Sequence, residues 1–142
     1  MNIDIKISNS EIKSVINKLI DIKNKISKEV DYEIANSAEE IVLLAKQKAP
    51  NFIANQIYSN RLDFLRYSVK SNFIYSAYFE FGTGKYYLEY KSELTPEWQD
   101  IAANYFINGR GRINANPYLY PSFNEVRPKL FKRIIDLFKE IK

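Results

Sequence analysis

The chain contains neither cysteine nor histidine, and the two absences together remove a large part of enzyme chemistry. Without thiols there is no disulfide framework and no thiolate nucleophile; without imidazole there is no Ser-His-Asp triad and almost no zinc site. No window approaches the roughly 20 apolar residues that a membrane span needs. The N-terminus, Met1-Asn2-Ile3-Asp4-Ile5-Lys6, also lacks a basic region followed by an apolar run. A soluble, unexported product is expected. Nor does one sign of charge dominate: 21 basic and 17 acidic residues are interspersed, for a net charge of +4 and a pI near 9.1. Nucleic-acid binding is therefore permitted rather than implied. A length of 142 residues suits one domain, with enough chain to bury a single core unaided by disulfides or a metal.

Glycine and proline are missing before Pro50, so nothing interrupts the long apolar period that starts the chain. Ile3, Ile5 and Ile7 alternate with Asp4 and Lys6 as a short edge strand would. Ser8-x-x-Glu11 reads as a capping box. Behind it Ile12, Val15, Ile16, Leu19, Ile22 and Ile26 recur at helical spacing and continue through Val30, Ile34, Ala38, Ile41 and Ala45. Either one long helix or two with a break near Ser27 fits, and Pro50 ends it in both cases. Residues 51 to 61 show no clean period and read as a loop. Leu65, Tyr67 and Val69 then alternate with polar residues as a strand. Ser71-Asn72 separates them from Tyr75-Ser76-Ala77-Tyr78-Phe79-Glu80-Phe81, whose Tyr75, Ala77, Phe79 and Phe81 also fall at period two. The two runs predict an antiparallel hairpin, with Gly82-Thr83-Gly84 as its exit.

After the glycines, residues 85 to 91 read as another strand. Thr95-Pro96-Glu97 announces a helix of about three turns with Trp98, Ile101, Ala102 and Tyr105 on its apolar face. Asn108-Gly109-Arg110-Gly111-Arg112 closes it as a flexible basic loop. The whole span from 85 to 115 looks like an excursion from a single domain covering 1 to 142, and such excursions often carry specific contacts. Pro117 and Pro121 fix an extended run. Ser122-x-x-Glu125 then reads as a second capping box that opens a C-terminal helix, with Pro128 expected to kink it or to end its first turn. The sum is an α+β domain with a small, mainly antiparallel sheet packed against a long N-terminal helix and a C-terminal helix.

Three segments carry a resemblance. Ala45-Lys46-x-Lys48-Ala49-Pro50, then Tyr75 to Gly84, then Asn116-Pro117-Tyr118-Leu119-Tyr120-Pro121-Ser122-Phe123 with Pro128-Lys129-Leu130, in that order, resemble the bacteriophage minor tail or tail-completion proteins of the head-tail joining (neck, connector) family. Members typically show a helix ending in Ala-Pro, a Tyr-Ala-x-Tyr-Val-Glu-Phe-Gly-Thr segment and a Pro-Phe-Leu-x-Pro-Ala run before the last helix. The likeness covers about two thirds of the chain. It departs after Pro50, where the family usually has Asp-Thr-Gly and this chain has the longer Asn51 to Asn60. The resemblance implies a structural virion protein, assembled in the host cytoplasm, whose identical copies form a ring in the neck between capsid portal and tail. Its partners would be itself, the neighbouring portal or connector and tail proteins, and, transiently and non-specifically, the genomic DNA passing through. It implies no catalysis, no cofactor and no metal.

Single residues admit competing readings. Glu80 is either an inter-subunit salt bridge or hydrogen bond, or an exposed strand residue. Gly82-Thr83-Gly84 reads as a turn, since it lacks the spacing of a phosphate-binding loop. Asp63, Glu89 and Lys91 faintly match a metal-dependent nuclease, as chance placement of common residue types would also do. Arg110 and Arg112 would touch DNA phosphates, an acidic neighbour or only solvent. The aromatic series that includes Tyr86, Tyr87 and Trp98 would stack on bases or, as we expect, pack on the domain or the next subunit. A ring needs two different surfaces per subunit, and the span from Lys85 to Ala115 beside the Gly82 turn is expected to supply one. The contact residues so expected are Glu80, Gly82, Thr83, Gly84, Tyr86, Tyr87, Trp98, Arg110 and Arg112. The reading from another class is a small basic nucleic-acid-binding module.

Overall fold

The computed structural model describes residues 8–106 and 108–141; the strand expected at residues 3–7 lies outside them. Helix α1 runs without a break from Asn9 to Lys48, so the single-helix alternative holds. The capping box at its start forms as expected. The Ser8 hydroxyl accepts from the Glu11 N–H at 3.2 Å, and the Ser8 N–H donates to the Glu11 carboxylate at 2.9 Å. At the other end Ala49 is extended (φ −80°, ψ 152°), as a residue before proline prefers.

The segment expected to be a loop folds instead into a helical turn, α2 (Asn51–Ala54), and a strand, β1 (Ile57–Asp63). Burial of Ile53, Ala54 and Ile57 against α1 outweighs the poor local period. β1 pairs antiparallel with β2 (Arg66–Ser71), from Ile57 opposite Ser71 to Asp63 opposite Arg66. The hairpin is thus 57–63 with 66–71, one element earlier than expected. Its tip places Leu65 at φ 63°, held because the Asp31 carboxylate of α1 accepts from the Leu65 N–H at 2.8 Å and the Tyr67 hydroxyl at 3.0 Å.

Tyr75–Phe81, expected as the central strand, is not a strand: Ser76–Phe81 is a short helix, α3. The period-two pattern misleads for a geometric reason. Residues two apart on a helix point to nearly opposite sides, and α3 lies between two apolar clusters. Phe79 packs against Val42, Ala45, Ile53, Ile57 and Tyr118. Phe81 sits with Tyr87, Leu94, Ala102 and Tyr120. A short helix that buries both sides has the sequence of a strand.

Residues expected as a further strand form helix α4 (Lys85–Lys91). Helix α5 (Pro96–Ala103) appears where Thr95-Pro96-Glu97 placed it, shorter than the three turns expected. Helix α6 (Leu119–Lys139) starts before Ser122 and runs on through Pro128. The second capping box therefore does not form. The Ser122 hydroxyl donates back to the Tyr118 carbonyl at 2.6 Å, and Glu125 pairs with Lys48 at 3.3 Å. α1 packs along both strands and along α6. The pairs Lys48–Glu125, Lys129–Glu40 and Arg133–Glu40 make α1 and α6 antiparallel. The α+β architecture expected from the sequence is the one adopted.

Candidate functional site

The molecule is joined at one carboxylate. α6 begins with Tyr118 as N-cap and Leu119, Tyr120 and Pro121 as its first three residues, and a helix start leaves four N–H groups without partners. Glu80 Oε2 accepts from the Tyr118 N–H at 2.7 Å and the Leu119 N–H at 2.9 Å, and Oε1 accepts from the Tyr120 N–H at 2.7 Å. The fourth position is Pro121, which has no N–H to satisfy. One side chain from α3 thus completes the N-terminus of α6, in the place where a helix start favours an anion. Glu80 is 2% exposed. Burial pushes its carboxyl above the usual carboxylate range, against the three backbone bonds that pull it down. Burial also pushes the Tyr118 hydroxyl up to about 12, with the charge of Glu80 adding to the rise.

Glu80 is therefore neither an exposed strand residue nor a free partner for a neighbouring subunit, because both its oxygens are engaged within the chain. The Gly82-Thr83-Gly84 turn is engaged as well. The Thr83 N–H donates to the Ile113 carbonyl at 2.9 Å, and the Ile113 N–H donates to Thr83 Oγ1 at 2.8 Å. Gly84 (φ 56°) approaches so closely that a Cβ there would lie 2.6 Å from the Gly111 carbonyl oxygen. Asn116 donates its N–H to the Phe79 carbonyl at 2.7 Å. Residues 79–83 and 113–120 are thus bound to one another by two backbone-to-backbone bonds and by the Thr83 and Glu80 side chains.

The other expected contact residues divide. Tyr87 is buried and stacked on Phe106 at 4.7 Å. Trp98 is half-buried against Tyr120, at 4.9 Å, and Phe123. Three of the five buried residues in the second cluster come from the span 85 to 115, so that span is built into the core more than the word excursion implies. Tyr86 is half-buried and Arg110 and Arg112 are exposed. A crevice of about 460 Å³ is lined by Lys85, Tyr86, Gly109, Gly111 and Arg112. Among the described residues no three acidic side chains gather as a metal site would require, and no helix is long and apolar enough to cross a membrane. A half-open groove of about 280 Å³ lies between α1, β2 and the start of α6, lined in part by Ser37, whose buried hydroxyl has no hydrogen-bond partner among the described residues.

The two long helices expose apolar surface: the breadth of the C-terminal stripe, widened by Phe131, Ile135 and Phe138, already asked for two partners, whereas the bare first half of α1 was not expected. Every residue of α1 up to Lys25 is exposed, although Ile12, Val15, Ile16, Leu19, Ile20 and Ile22 form an apolar stripe there. On α6, Phe131, Ile135 and Phe138 are likewise exposed. The signal was in the lengths. An apolar period sustained to Pro50 is about twice as long as the C-terminal one that could cover it, so part of it has no partner among the described residues.

Comparison of the chain with protein-family models, with curated proteins and with solved structures gave no match.

Proposed function

We propose that this protein is a structural subunit of a tailed bacteriophage, one of several identical copies that form a ring in the virion neck and join the capsid portal to the tail around the DNA path. It works by assembly rather than by catalysis, without cofactor or metal. The observation that carries the reading is the uncovered apolar surface on α1 and α6. A monomer typically exposes no contiguous apolar patch above about 300–600 Å², whereas a subunit destined for a ring must leave its contact faces bare. The neck reading in particular comes from the sequence resemblance. Two of the three segments that carry it, 75–84 and 116–123, are those that the Glu80–Tyr118 and Phe79–Asn116 contacts join. Arg110 and Arg112, exposed, and Tyr86, half-buried beside them, remain candidates for contact with a neighbour. Electron cryo-microscopy of the intact particle tests the reading. Density for this fold in a closed ring at the neck is expected, and a complete neck built without it refutes the proposal.

One observation favours a second reading, the basic crevice of Lys85, Tyr86 and Arg112, whose two cations and aromatic ring would suit a nucleic-acid backbone. That reading predicts oligonucleotide binding that weakens steeply with salt and is lost on Arg112→Ala.

A further inference from the structure

The apolar stripe of α1 does not end where its partner ends. α6 runs antiparallel to α1, and its last turn stands beside Ile22, Ile26 and Glu29. From Ile22 back to Asn9, about 20 Å of helix at 1.5 Å per residue, α1 is exposed along its whole length among the described residues. Ile12, Val15, Ile16, Leu19 and Ile22 continue at the three- and four-residue spacing that Ile26, Val30, Ile34 and Ile41 use deeper in the subunit. The free half of α1 thus lacks a second helix in the place α6 holds farther along. At the same end of the molecule α6 shows the complementary lack. Phe131, Ile135, Phe138 and Ile141 form a stripe beside its packed face and are 42–55% exposed.

We propose that the free half of α1 in one subunit docks on the Phe131–Ile135–Phe138 stripe of α6 in a second copy of this chain. The inference rests on the reading of the protein as a self-assembling ring subunit, and names the surfaces of that contact. A second copy is the occupant that satisfies both uncovered stripes at once, and it extends the antiparallel α1–α6 packing already present within each subunit. Ten large apolar side chains on the two stripes are 39–60% exposed. A ring contact joins one stripe from each of two neighbours, so it buries on the order of 1,000 Å² of apolar side chain in total, about the lower bound for a specific interface, and a mutual dimer buries about twice that. The contact joins two different faces, so it closes a ring when each subunit serves two neighbours and a dimer when two subunits serve each other.

Charge gives the contact a signature. The free half of α1 carries Lys13, Lys18, Lys23 and Lys25 against Glu11 and Asp21. α6 carries Arg127, Lys129, Lys132, Arg133 and Lys139 against Glu125, Asp136 and Glu140. Both faces have an excess of cations, so apolar burial works against mild repulsion, and added salt strengthens the association by screening it. Docking of the same lysine-flanked helix on an anionic membrane would be weakened by salt instead.

Because the chain has no cysteine, the test can be made by cross-linking. Two full-length variants, Leu19→Cys and Phe138→Cys, are purified reduced, mixed in equal amounts and oxidised. The disulfide between the two different variants is expected in large excess over either homodimer. Homodimers through Leu19→Cys alone would mean that α1 pairs with α1, and would overturn the proposal. In native mass spectrometry the unmodified chain is expected as a closed oligomer that persists or grows with ionic strength. Leu19→Glu and, separately, Phe138→Glu each weaken association at least about a hundredfold, because a charge is then buried in an apolar contact. Both positions are exposed in the subunit, so its thermal unfolding serves as the control for folding. A monomer at all concentrations, or one that only binds anionic phosphatidylserine vesicles, overturns the proposal. A cross-linked oligomer combined with a particle neck lacking this protein keeps the contact and refutes the neck function. A dimer keeps the contact and refutes the ring.

Discussion

Glu80 shows how much one residue can hold, and why its role was hidden. In the sequence it is a lone acid in an aromatic run. Its three donors lie 38 to 40 residues away, on backbone that no side-chain pattern reports. Glu80→Gln preserves size but turns an NH₂ group toward a backbone N–H, leaving a buried donor unpaired, which costs about 1–3 kcal/mol. Urea unfolding measures the loss. The pH dependence has a definite sign. Because burial raises the Glu80 carboxyl above its unfolded value, the folded state holds the proton more tightly. Its contribution to stability is fully present below the ordinary carboxylate value and declines as pH rises through the raised one. The stability of the unmodified protein relative to Glu80→Gln is therefore expected to fall as pH is raised across that interval, and a rising difference would contradict the assignment. Gly84→Ala combines a positive φ with a 2.6 Å approach to the Gly111 carbonyl, and a loss of about 3 kcal/mol is expected by the same measurement. Ser37→Ala acts in the opposite direction. It removes a buried hydroxyl without a partner from the middle of α1, and a gain of about 1 kcal/mol is expected in thermal unfolding.

Among the elements, those with a local cause were legible and those with a distant cause were not. α1 and α5 announced themselves through Ser8-x-x-Glu11 and Thr95-Pro96-Glu97, signals that lie within one turn of the helices they start. α3 and α4 did not, because their apolar residues face more than one side and imitate strands. The start of α6 was misplaced at Ser122 for a related reason: its cap comes from α3 and not from its own first residues. The free half of α1 is a different case, read correctly as helix but with a burial the subunit does not provide. The thirteen residues Asn9–Asp21, exposed among the described residues, are a marginal length of helix in water. Far-UV ellipticity is therefore expected to fall on dilution through the association midpoint and to recover on concentration. Removing residues 1–21 should change the unfolding free energy of the dilute domain by no more than about 1 kcal/mol, since Ser8 to Asp21 are all exposed.

For the whole molecule, the same architecture that was expected arises from different pieces. Among the described residues the sheet is one two-stranded hairpin, too small to stand alone, and it persists because α1 covers it and Asp31 pins its tip. The span from 85 to 115, read as an excursion, contributes Tyr87, Leu94 and Ala102 to the cluster around Phe81 and Tyr120. Deleting residues 86–112 is therefore expected to abolish the cooperative unfolding transition seen by calorimetry, and would not serve as a clean test of assembly.

The Glu80 contact also bears on how the chain is made. During translation the first eighty residues leave the ribosome with a carboxylate whose three donors have not yet been synthesised, and loop closure over some forty residues must precede any gain from them. The last helix has no cap of its own to begin with. Its first turn can become secure only when it meets the nascent segment that came before, so the C-terminal helix is the piece that seals the fold, and a chain interrupted before Tyr118 lacks all three donors of the Glu80 carboxylate.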